Sequence, residues 1–149
     1  METGTLLREL ERYAAAREAE FGAISSERRA GLERLSTFAR ERASTGKPVR
    51  LVFVCTHNSR RSQMAQLWAG VGAQRYGVDA RTYSGGTEAT AFNERAVESM
   101  RRAGFAIEAP SGGGANPRYG CGWARVLGRW FVFRRCTTRR RTRRVSSSR

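Results

Sequence analysis

The chain of 149 residues carries 28 lysine and arginine residues against 13 acidic ones, which gives a formal net charge of +15. No apolar run approaches the ~20 residues that a transmembrane helix needs, and the N-terminus lacks the basic and apolar regions of a secretory signal. The three cysteines, Cys55, Cys121 and Cys136, are too few for a disulfide framework, and a single histidine excludes most histidine-rich metal sites. We therefore expect a cytoplasmic protein. We also expect it to have no metal, no cofactor and no membrane partner.

Residues 1–46 contain two stretches in which apolar side chains recur at helical spacing. They are Leu6, Leu7, Leu10, Tyr13 and Ala14 in the first stretch and Leu32, Leu35, Phe38 and Ala39 in the second. Ser25 or Ser26 can cap the second helix, and Gly46 is a typical stop. We expect a helical hairpin that packs on the neighbouring domain, with a dimerisation element as the alternative.

Residues 47–118 alternate between strand-like and helix-like patterns. The predicted elements are a strand at residues 49–54, a helix at 62–76, a strand at 80–84, a helix that ends at Gly104 and a strand that starts at Phe105-Ala106-Ile107. The first of these strands is an almost continuous apolar run, which is typical of a buried parallel strand. The order of elements predicts an α/β fold with a doubly wound parallel sheet, preceded by the helical extension.

The C-terminal part has a different composition. Residues 109–149 contain 11 arginines and no acid, whereas the preceding residues contain 17 basic and 13 acidic ones. Ser111 and the three glycines after it predict a linker, and the sequence VLGRWFVF at residues 126–133 predicts a strand. Seven arginines lie between Arg134 and Arg144, and we expect this run to be disordered when unbound. The predicted domains are a helical extension at 1–46, an incomplete core at 47–118 and an irregular, basic, arginine-rich tail at 119–149.

Two explanations account for this tail. The ratio of 27 arginines to one lysine indicates GC-rich coding, and out-of-frame translation of such DNA yields abundant arginine, glycine, alanine, serine and threonine. We hypothesise that residues from about Tyr119 onward result from a frameshift in the gene or in its sequencing. The alternative is a tail that binds nucleic acid, in which arginines contact phosphates and aromatic residues stack on bases. The aromatic residues near the arginines are Trp123, Trp130, Phe131 and Phe133.

Residues 55–62, Cys-Thr-His-Asn-Ser-Arg-Arg-Ser, lie between the first predicted strand of the core and the first helix after it. A loop at the carboxyl end of a parallel strand turns its backbone N–H groups inward and forms an anion site above a helix N-terminus. A thiol at the base of such a site has a lowered pKa, which makes Cys55 a candidate nucleophile. Arg61 can hold two oxygens of a tetrahedral oxyanion through its planar guanidinium, and Ser62 can donate a hydrogen bond to the thiolate.

This loop resembles the signature Cys-x-x-Asn-x-x-Arg-Ser of the low-molecular-weight protein tyrosine phosphatases and the related thiol-dependent arsenate reductases. The residues that match the signature are Cys55, Asn58, Arg61 and Ser62. The sequence YSGGTE at residues 83–88 is similar to the second strand of the family and the loop after it. The resemblance covers about residues 49–108 and implies a phosphotyrosine phosphatase I-like fold.

The resemblance also implies roles for the loop residues. Cys55 attacks phosphorus and forms a phosphocysteine, Arg61 binds the phosphoryl oxygens and stabilises the transition state, and Ser62 stabilises the thiolate. Asn58 holds the loop in its strained shape. The residues expected to bind substrate or oxyanion are Thr56, His57, Asn58, Ser59 and Arg60, with His57 on the rim.

The function that these roles imply is hydrolysis of phosphotyrosine-like phosphomonoesters on a phosphorylated protein, through a phosphocysteine. The first alternative is a thiol-dependent arsenate reductase, whose substrate is a small oxyanion. The second is a protein that binds an oxyanion or nucleic acid without turnover.

Both family activities need residues that this sequence places poorly. The phosphatases use a late aspartate as general acid, but nothing acidic follows Glu108, Asp79 precedes the second strand of the core, and Glu88 is a poor substitute. The reductases pass a disulfide along two further cysteines close in sequence, whereas Cys121 and Cys136 are 15 residues apart. We therefore expect impaired turnover in this chain.

Overall fold

The computed structural model describes residues 5–88, 90–111, 117–126 and 129–130. In chain order the elements are β1 (Thr5–Leu6), α1 (Arg8–Glu18), α2 (Ser26–Ser44), β2 (Val49–Cys55), α3 (Arg61–Arg75), β3 (Ala80–Gly86), α4 (Glu94–Arg102), β4 (Ala106–Ile107), β5 (Cys121–Gly122), β6 (Ala124–Val126) and β7 (Arg129–Trp130). A short 3₁₀ turn at Phe21–Ala23 lies between α1 and α2. Among the described helices, none combines the length and the apolarity that a bilayer crossing requires.

Strands β2 and β3 form a parallel pair joined by the crossover helix α3. Their register runs from Val49 opposite Ala80 to Cys55 opposite Gly86. The valine, leucine and phenylalanine side chains of β2 fit a pleated surface well, and α3 packs on both strands. The predicted α/β fold is therefore confirmed. The parallel pair in the described residues has two strands, so the doubly wound sheet stays a prediction.

The remaining strands form small antiparallel sheets. Strand β4 pairs with β5, while β1, β6 and β7 form a three-stranded sheet in the order β1-β6-β7. The strand predicted at Phe105-Ala106-Ile107 is present as β4, but it does not join the parallel pair. Of the strand predicted at residues 126–133, the structure describes residues 126, 129 and 130, which belong to the antiparallel pair of β6 and β7. The rest of it and the arginine-rich run lie outside the described residues.

The segment after residue 119 is not uniformly irregular. Cys121, Trp123 and Ala124 are 6%, 4% and 0% exposed and belong to the hydrophobic core. Trp123 packs on Gly70 of α3, where a Cβ atom would lie 2.8 Å from a ring carbon. The prediction of an irregular tail is thus wrong for this segment, because its apolar side chains fit the core in spite of the arginines around them. Burial of Trp123 also excludes it from stacking on bases.

The core lies between α1, α3, α4 and the short strands near both ends of the described chain. Its most buried large side chains include Leu10, Phe92 and Met100, which are at most 1% exposed. Leu10 belongs to α1, whose backbone comes close to Gly104. A Cβ at Gly104 would lie 2.5 Å from the Leu10 nitrogen, and its φ of +101° also favours glycine. Helix α1 therefore packs on the neighbouring domain as predicted.

An ion-pair cluster joins α1 to the C-terminal end of α3. The Arg75 guanidinium donates to both carboxylate oxygens of Glu18, at 2.5 and 2.8 Å, and also to Glu11. Beside this cluster the Tyr13 ring stacks on Trp68 with their centroids 5.5 Å apart. Because the Arg75 side chain is only 21% exposed, these contacts are better shielded from solvent than an ordinary surface ion pair.

Helix α2 is capped as predicted but is not packed as predicted. Ser25 Oγ accepts a hydrogen bond from the Arg28 backbone nitrogen at 3.3 Å. The apolar stripe stays exposed, since Leu32, Leu35 and Phe38 are 43%, 39% and 42% exposed. None of the residues of α2 is buried against the described part of the chain. The predicted packing of the helical hairpin is therefore confirmed for α1 and wrong for α2.

Candidate active site

The predicted loop begins at Cys55, the last residue of β2, and ends at Arg61, the first residue of α3. Asn58, near its centre, is 3% exposed and has a φ of +45°, a left-handed conformation that asparagine tolerates better than most residues. Gln63 of α3 donates from Nε2 to the Asn58 carbonyl oxygen at 2.7 Å. The strained turn is therefore held by the helix that follows it.

Ser62 links the thiol to this turn. Its hydroxyl oxygen lies 3.0 Å from Cys55 Sγ and 2.8 Å from Asn58 Oδ1. The hydroxyl carries one proton, which it can donate to the asparagine oxygen or, once Cys55 is ionised, to the thiolate. Serine at this position thus connects the candidate nucleophile to the buried asparagine.

The Cys55 thiol is free and half-buried. Burial by itself raises its pKa, but hydrogen bonds from the Ser62 side chain and from the backbone N–H groups of Ser62, Asn58 and Ser59 stabilise the thiolate. The net result is a pKa below the ordinary value of a thiol. Since the thiolate is the nucleophilic form of cysteine, the loop favours the ionisation state that attack on an electrophile requires.

A second segment, which follows β3, packs against one side of the loop. Gly86 permits the close approach, because a Cβ there would lie 2.6 Å from the Asn58 nitrogen and 2.7 Å from the Thr56 carbonyl oxygen. Two donors then converge on that same carbonyl oxygen, Thr87 Oγ1 at 3.1 Å and the Glu88 nitrogen at 3.0 Å. Gly86, which ends the strand, therefore has a steric function beside the loop.

The same segment continues along the other side of the loop. Thr90 Oγ1 donates to the His57 carbonyl oxygen at 2.5 Å, and Ser59 Oγ donates to the Ala91 carbonyl oxygen at 2.7 Å. The Asn93 nitrogen donates to the Ser59 carbonyl oxygen at 2.9 Å. Sequence reasoning missed these partners, because Thr90 and His57, for example, are 33 positions apart and no local pattern joins them.

A cavity of about 260 Å³ lies beside the thiol. The side chains that line it are Cys55, His57, Ser59, Arg60, Arg61, Thr90 and Asn93. Of the predicted site residues, Thr56, Asn58 and Ser62 are absent from this lining and belong instead to the hydrogen-bonded frame of the loop. Arg60 and Arg61 give the cavity a positive potential, and none of the described residues that line it is a carboxylate. The cavity therefore suits an anionic ligand.

Asn93 directly precedes α4, where asparagine commonly caps a helix, but its side chain makes no capping hydrogen bond there. Its Oδ1 atom is buried and has no hydrogen-bond partner among the described residues, and the side chain lines the cavity. A buried acceptor without a donor is costly until a ligand or water supplies one. Beside its cationic donors, the site thus offers one acceptor to a ligand that carries a hydroxyl group.

The two carboxylates considered as general acids lie in different places. The Asp79 carbonyl oxygen accepts a hydrogen bond from the Val49 nitrogen at 2.7 Å, so this residue lies at the end of the parallel pair opposite Cys55. Glu88 lies near the loop, where its Oε2 is 3.2 Å from His57 Nε2. Glu88 therefore reaches the site through His57 rather than by lining the cavity itself.

Cys121 is in a poor position to take over a disulfide. It is a free thiol on β5 and only 6% exposed. Burial, with a smaller contribution from the Glu108 carboxylate, raises its pKa to about 11. A buried, protonated thiol is a weak nucleophile at neutral pH. Cys136, the other cysteine considered for this role, lies outside the described residues.

Residues 50–115 match the family model described as low molecular weight phosphotyrosine protein phosphatase. Arsenate reductase 2 of Staphylococcus haemolyticus is 44% identical over 57 residues, which cover 38% of this chain and 41% of that protein. The arsenate reductases of Bacillus licheniformis and Bacillus subtilis are 46% and 44% identical over 57 residues, which cover 38% of this chain and 39% of each relative. The chain thus matches less than half the length of these relatives. No solved structure gives a significant match.

Proposed function

Since the chain belongs to the superfamily of low-molecular-weight phosphotyrosine phosphatases and arsenate reductases, we propose that it is an enzyme that reduces arsenate through a thiol. The observation that carries the proposal is the stabilised Cys55 thiolate beside a cavity that Arg60 and Arg61 make positive. The comparisons support arsenate reduction better than phosphotyrosine hydrolysis, because the similar proteins are named arsenate reductases. The cytoplasm, where thiols are kept reduced, is the proposed location.

Binding of arsenate uses the donors of the loop and one acceptor opposite them. The planar guanidinium of Arg61 holds two arsenate oxygens, and the inward backbone N–H groups of the loop hold others. Near neutral pH arsenate keeps at least one hydroxyl group, which can donate to the unpartnered Asn93 Oδ1. The dianion of a phosphate monoester has no such hydroxyl. Asn93 thus favours arsenate over the ester in this proposal.

The first chemical step joins sulfur to arsenic. Cys55 Sγ donates an electron pair to arsenic, one arsenic–oxygen bond breaks, and that oxygen takes up protons and leaves as water. Arsenic remains As(V) in the resulting cysteine–arsenate adduct. Cys55 can make this attack because its thiolate is stabilised in place by Ser62 and the loop backbone.

The second step transfers two electrons and needs a further thiol. A thiolate attacks Cys55 Sγ, a disulfide forms, and the electron pair of the sulfur–arsenic bond passes to arsenic, which leaves as arsenite, As(III). A third thiol then reduces the disulfide and restores Cys55. Because Cys121 is buried with a raised pKa, the proposed donors are external thiols of low molecular weight or on another protein.

Phosphotyrosine hydrolysis is the second candidate, and the description of the matching family favours it. Here Cys55 Sγ attacks phosphorus, the ester oxygen leaves with a proton, and water hydrolyses the phosphocysteine. Proton transfer of this kind is typically worth about 10²–10⁴-fold, and none of the described residues that line the cavity is a carboxylate. Turnover is expected to be weak for p-nitrophenyl phosphate and nearly absent for alkyl phosphates, whose leaving groups need the proton most.

The two candidates are separated by assaying the full chain with arsenate plus dithiothreitol, and with p-nitrophenyl phosphate. We expect arsenite production that Cys55→Ser abolishes and Cys121→Ala retains. Release of p-nitrophenol without any arsenite would replace the proposal with the phosphatase. Protection of Cys55 from alkylation by arsenate, with neither product formed, would indicate a binding protein without turnover.

A further inference from the structure

His57 and Glu88 form a pair at the rim of the active-site cavity. The His57 Nε2 atom lies 3.2 Å from Glu88 Oε2, and the two side chains are 58% and 54% exposed. His57 also lines the cavity that contains Cys55. One imidazole is therefore in contact with the carboxylate, the ligand space and solvent at the same time.

Both members of the pair are fixed through their backbones. Thr90 Oγ1 donates to the His57 carbonyl oxygen at 2.5 Å. The Glu88 nitrogen donates to the carbonyl oxygen of Thr56, the residue before His57, at 3.0 Å. An exposed ion pair on two mobile side chains is worth little, but here the two segments that carry the partners are hydrogen-bonded to each other through Thr56 and Thr90. Their approach is therefore built into the way that the two segments pack.

The other charged or titratable groups around the cavity cannot supply a proton to a leaving oxygen. Arg60 and Arg61 stay protonated at all relevant pH values, and Cys55 is used as the nucleophile. Glu88 faces His57 rather than the cavity. Histidine is the side chain that gains and loses a proton most readily near neutral pH. Among the described lining residues, His57 is thus the group suited to proton transfer.

We propose that His57 is the general acid of this site and that Glu88 is its positioning residue, an inference that rests on the arsenate reduction proposed above. Glu88 accepts a hydrogen bond from Nε2–H, which leaves Nδ1 to carry the transferable proton. As the bond between arsenic and its hydroxyl oxygen breaks, the electron pair stays on that oxygen, which already carries one proton, and the Nδ1 proton joins it, so that the oxygen leaves as water. The neutral imidazole keeps its Nε2–H bond to Glu88 and regains a proton from solvent, to which it is exposed.

The test compares the full-length chain with His57→Asn, His57→Ala and Glu88→Gln, with Glu98→Gln as the matched carboxylate control. Glu98 pairs with Arg101 at 2.7 Å on the exposed side of α4, away from the cavity. The readouts are the rate of arsenite formation against pH with excess dithiothreitol, the protection of Cys55 by arsenate, and the effect of added imidazole on His57→Ala. Arsenate protection reports on folding and binding separately from proton transfer.

We expect His57→Asn to lower the rate by about 10²–10⁴-fold and to alter the pH dependence of the rate, while arsenate still protects Cys55. Imidazole should partly restore His57→Ala. Glu88→Gln should lower kcat about tenfold, a typical effect of an orienting partner, and leave the KM for arsenate unchanged. Glu98→Gln should match the unmodified chain.

A His57→Asn variant with an unchanged rate and pH profile would overturn the inference while leaving arsenate reduction intact. Loss of arsenate protection in that variant, with no rescue of His57→Ala by imidazole, would also overturn it, because His57 would then serve binding. The absence of arsenite from the unmodified chain would overturn the proposed function and, with it, this role.

Discussion

The sequence predicted both the candidate active-site loop and helix α2, but the two differ in how they contact the rest of the structure. The loop between β2 and α3 is held by hydrogen bonds to Thr87, Glu88, Thr90, Ala91 and Asn93, all from one distant segment. Helix α2 forms with its predicted serine cap, but Leu32, Leu35 and Phe38 of its apolar stripe stay exposed. A local pattern is sufficient to form an element, whereas burial depends on what the rest of the chain brings to it.

The comparison also separates two kinds of stabilisation. In the loop, the strained conformation of Asn58 is compensated by contacts around it. In α2, stability comes from helix propensity, the N-cap and local hydrogen bonds, which are individually small terms. Substitutions in the loop should therefore act on chemistry and packing together, and substitutions in α2 should act weakly on either.

The largest expected difference is between the reactivity of the Cys55 thiol in the loop and that of the buried Cys121 thiol. The pKa of Cys55 is lowered, so its thiolate persists below the ordinary thiol pKa and is lost only as the pH falls through the lowered value. The pKa of Cys121 is raised to about 11 and its side chain is buried. At pH 7 iodoacetamide should therefore modify Cys55 at least about 10²-fold faster, as followed by peptide mass spectrometry. Phosphate should slow only the Cys55 reaction, and equal labelling of the two thiols would contradict the proposed site.

Truncating one leucine in each of the two N-terminal helices should lower the free energy of unfolding to different extents. Leu10 of α1 is fully buried, so Leu10→Ala should lower the free energy of unfolding by about 2–5 kcal/mol. Leu35 of α2 is 39% exposed, so Leu35→Ala should cost only about 0.5 kcal/mol. Urea denaturation of both variants measures the difference. Equal losses would mean that α2 is buried by a contact that the described residues do not contain.

Adding a methyl group at two glycines should have opposite effects in the two regions. A Cβ at Gly86 would lie 2.6 Å from the Asn58 nitrogen, so Gly86→Ala should cost about 1–3 kcal/mol and slow alkylation of Cys55. Gly31 of α2 has no atom within 4 Å of its ideal Cβ, and Gly31→Ala should stabilise the chain by about 0.5–1 kcal/mol. Thermal unfolding of the two variants measures whether each substitution stabilises or destabilises the chain. Unchanged stability and an unchanged rate of Cys55 alkylation in Gly86→Ala would show that the segment after β3 can move away from the loop freely.

The sequence was most informative where function depends on neighbouring residues. The loop, the strand before it and the helix after it follow one another along the chain, so spacing alone predicted their order and their meeting point. Thr90 and Asn93 could not be assigned to the site in this way, because their place beside the loop depends on packing between distant segments. Asn93 precedes α4, where asparagine commonly caps a helix, but its side chain makes no capping hydrogen bond.

Composition gave a wrong prediction where it was averaged over a long window. The excess of arginine after Glu108 suggested a tail apart from the fold, but Cys121, Trp123 and Ala124 are core residues. Burial is decided by individual side chains, so a few apolar residues in a basic segment can be anchored while their neighbours stay in solvent. Strand pairing at this end involves β1 near the N-terminus, which no local pattern could reveal.

Helix α3 connects the candidate site to helix α1, which lies outside the segment that matches the family. Its 15 residues run from Arg61, at the anion site, to Arg75, whose guanidinium holds Glu11 and Glu18 of α1, a rod of roughly 22 Å. The segment that matches the family ends at residue 115, yet the core also uses Leu10 before it and Trp123 after it. The segment that matches the family is therefore smaller than the unit that folds, and excising it would remove the far anchor of the helix that begins at Arg61, the proposed oxyanion-binding arginine.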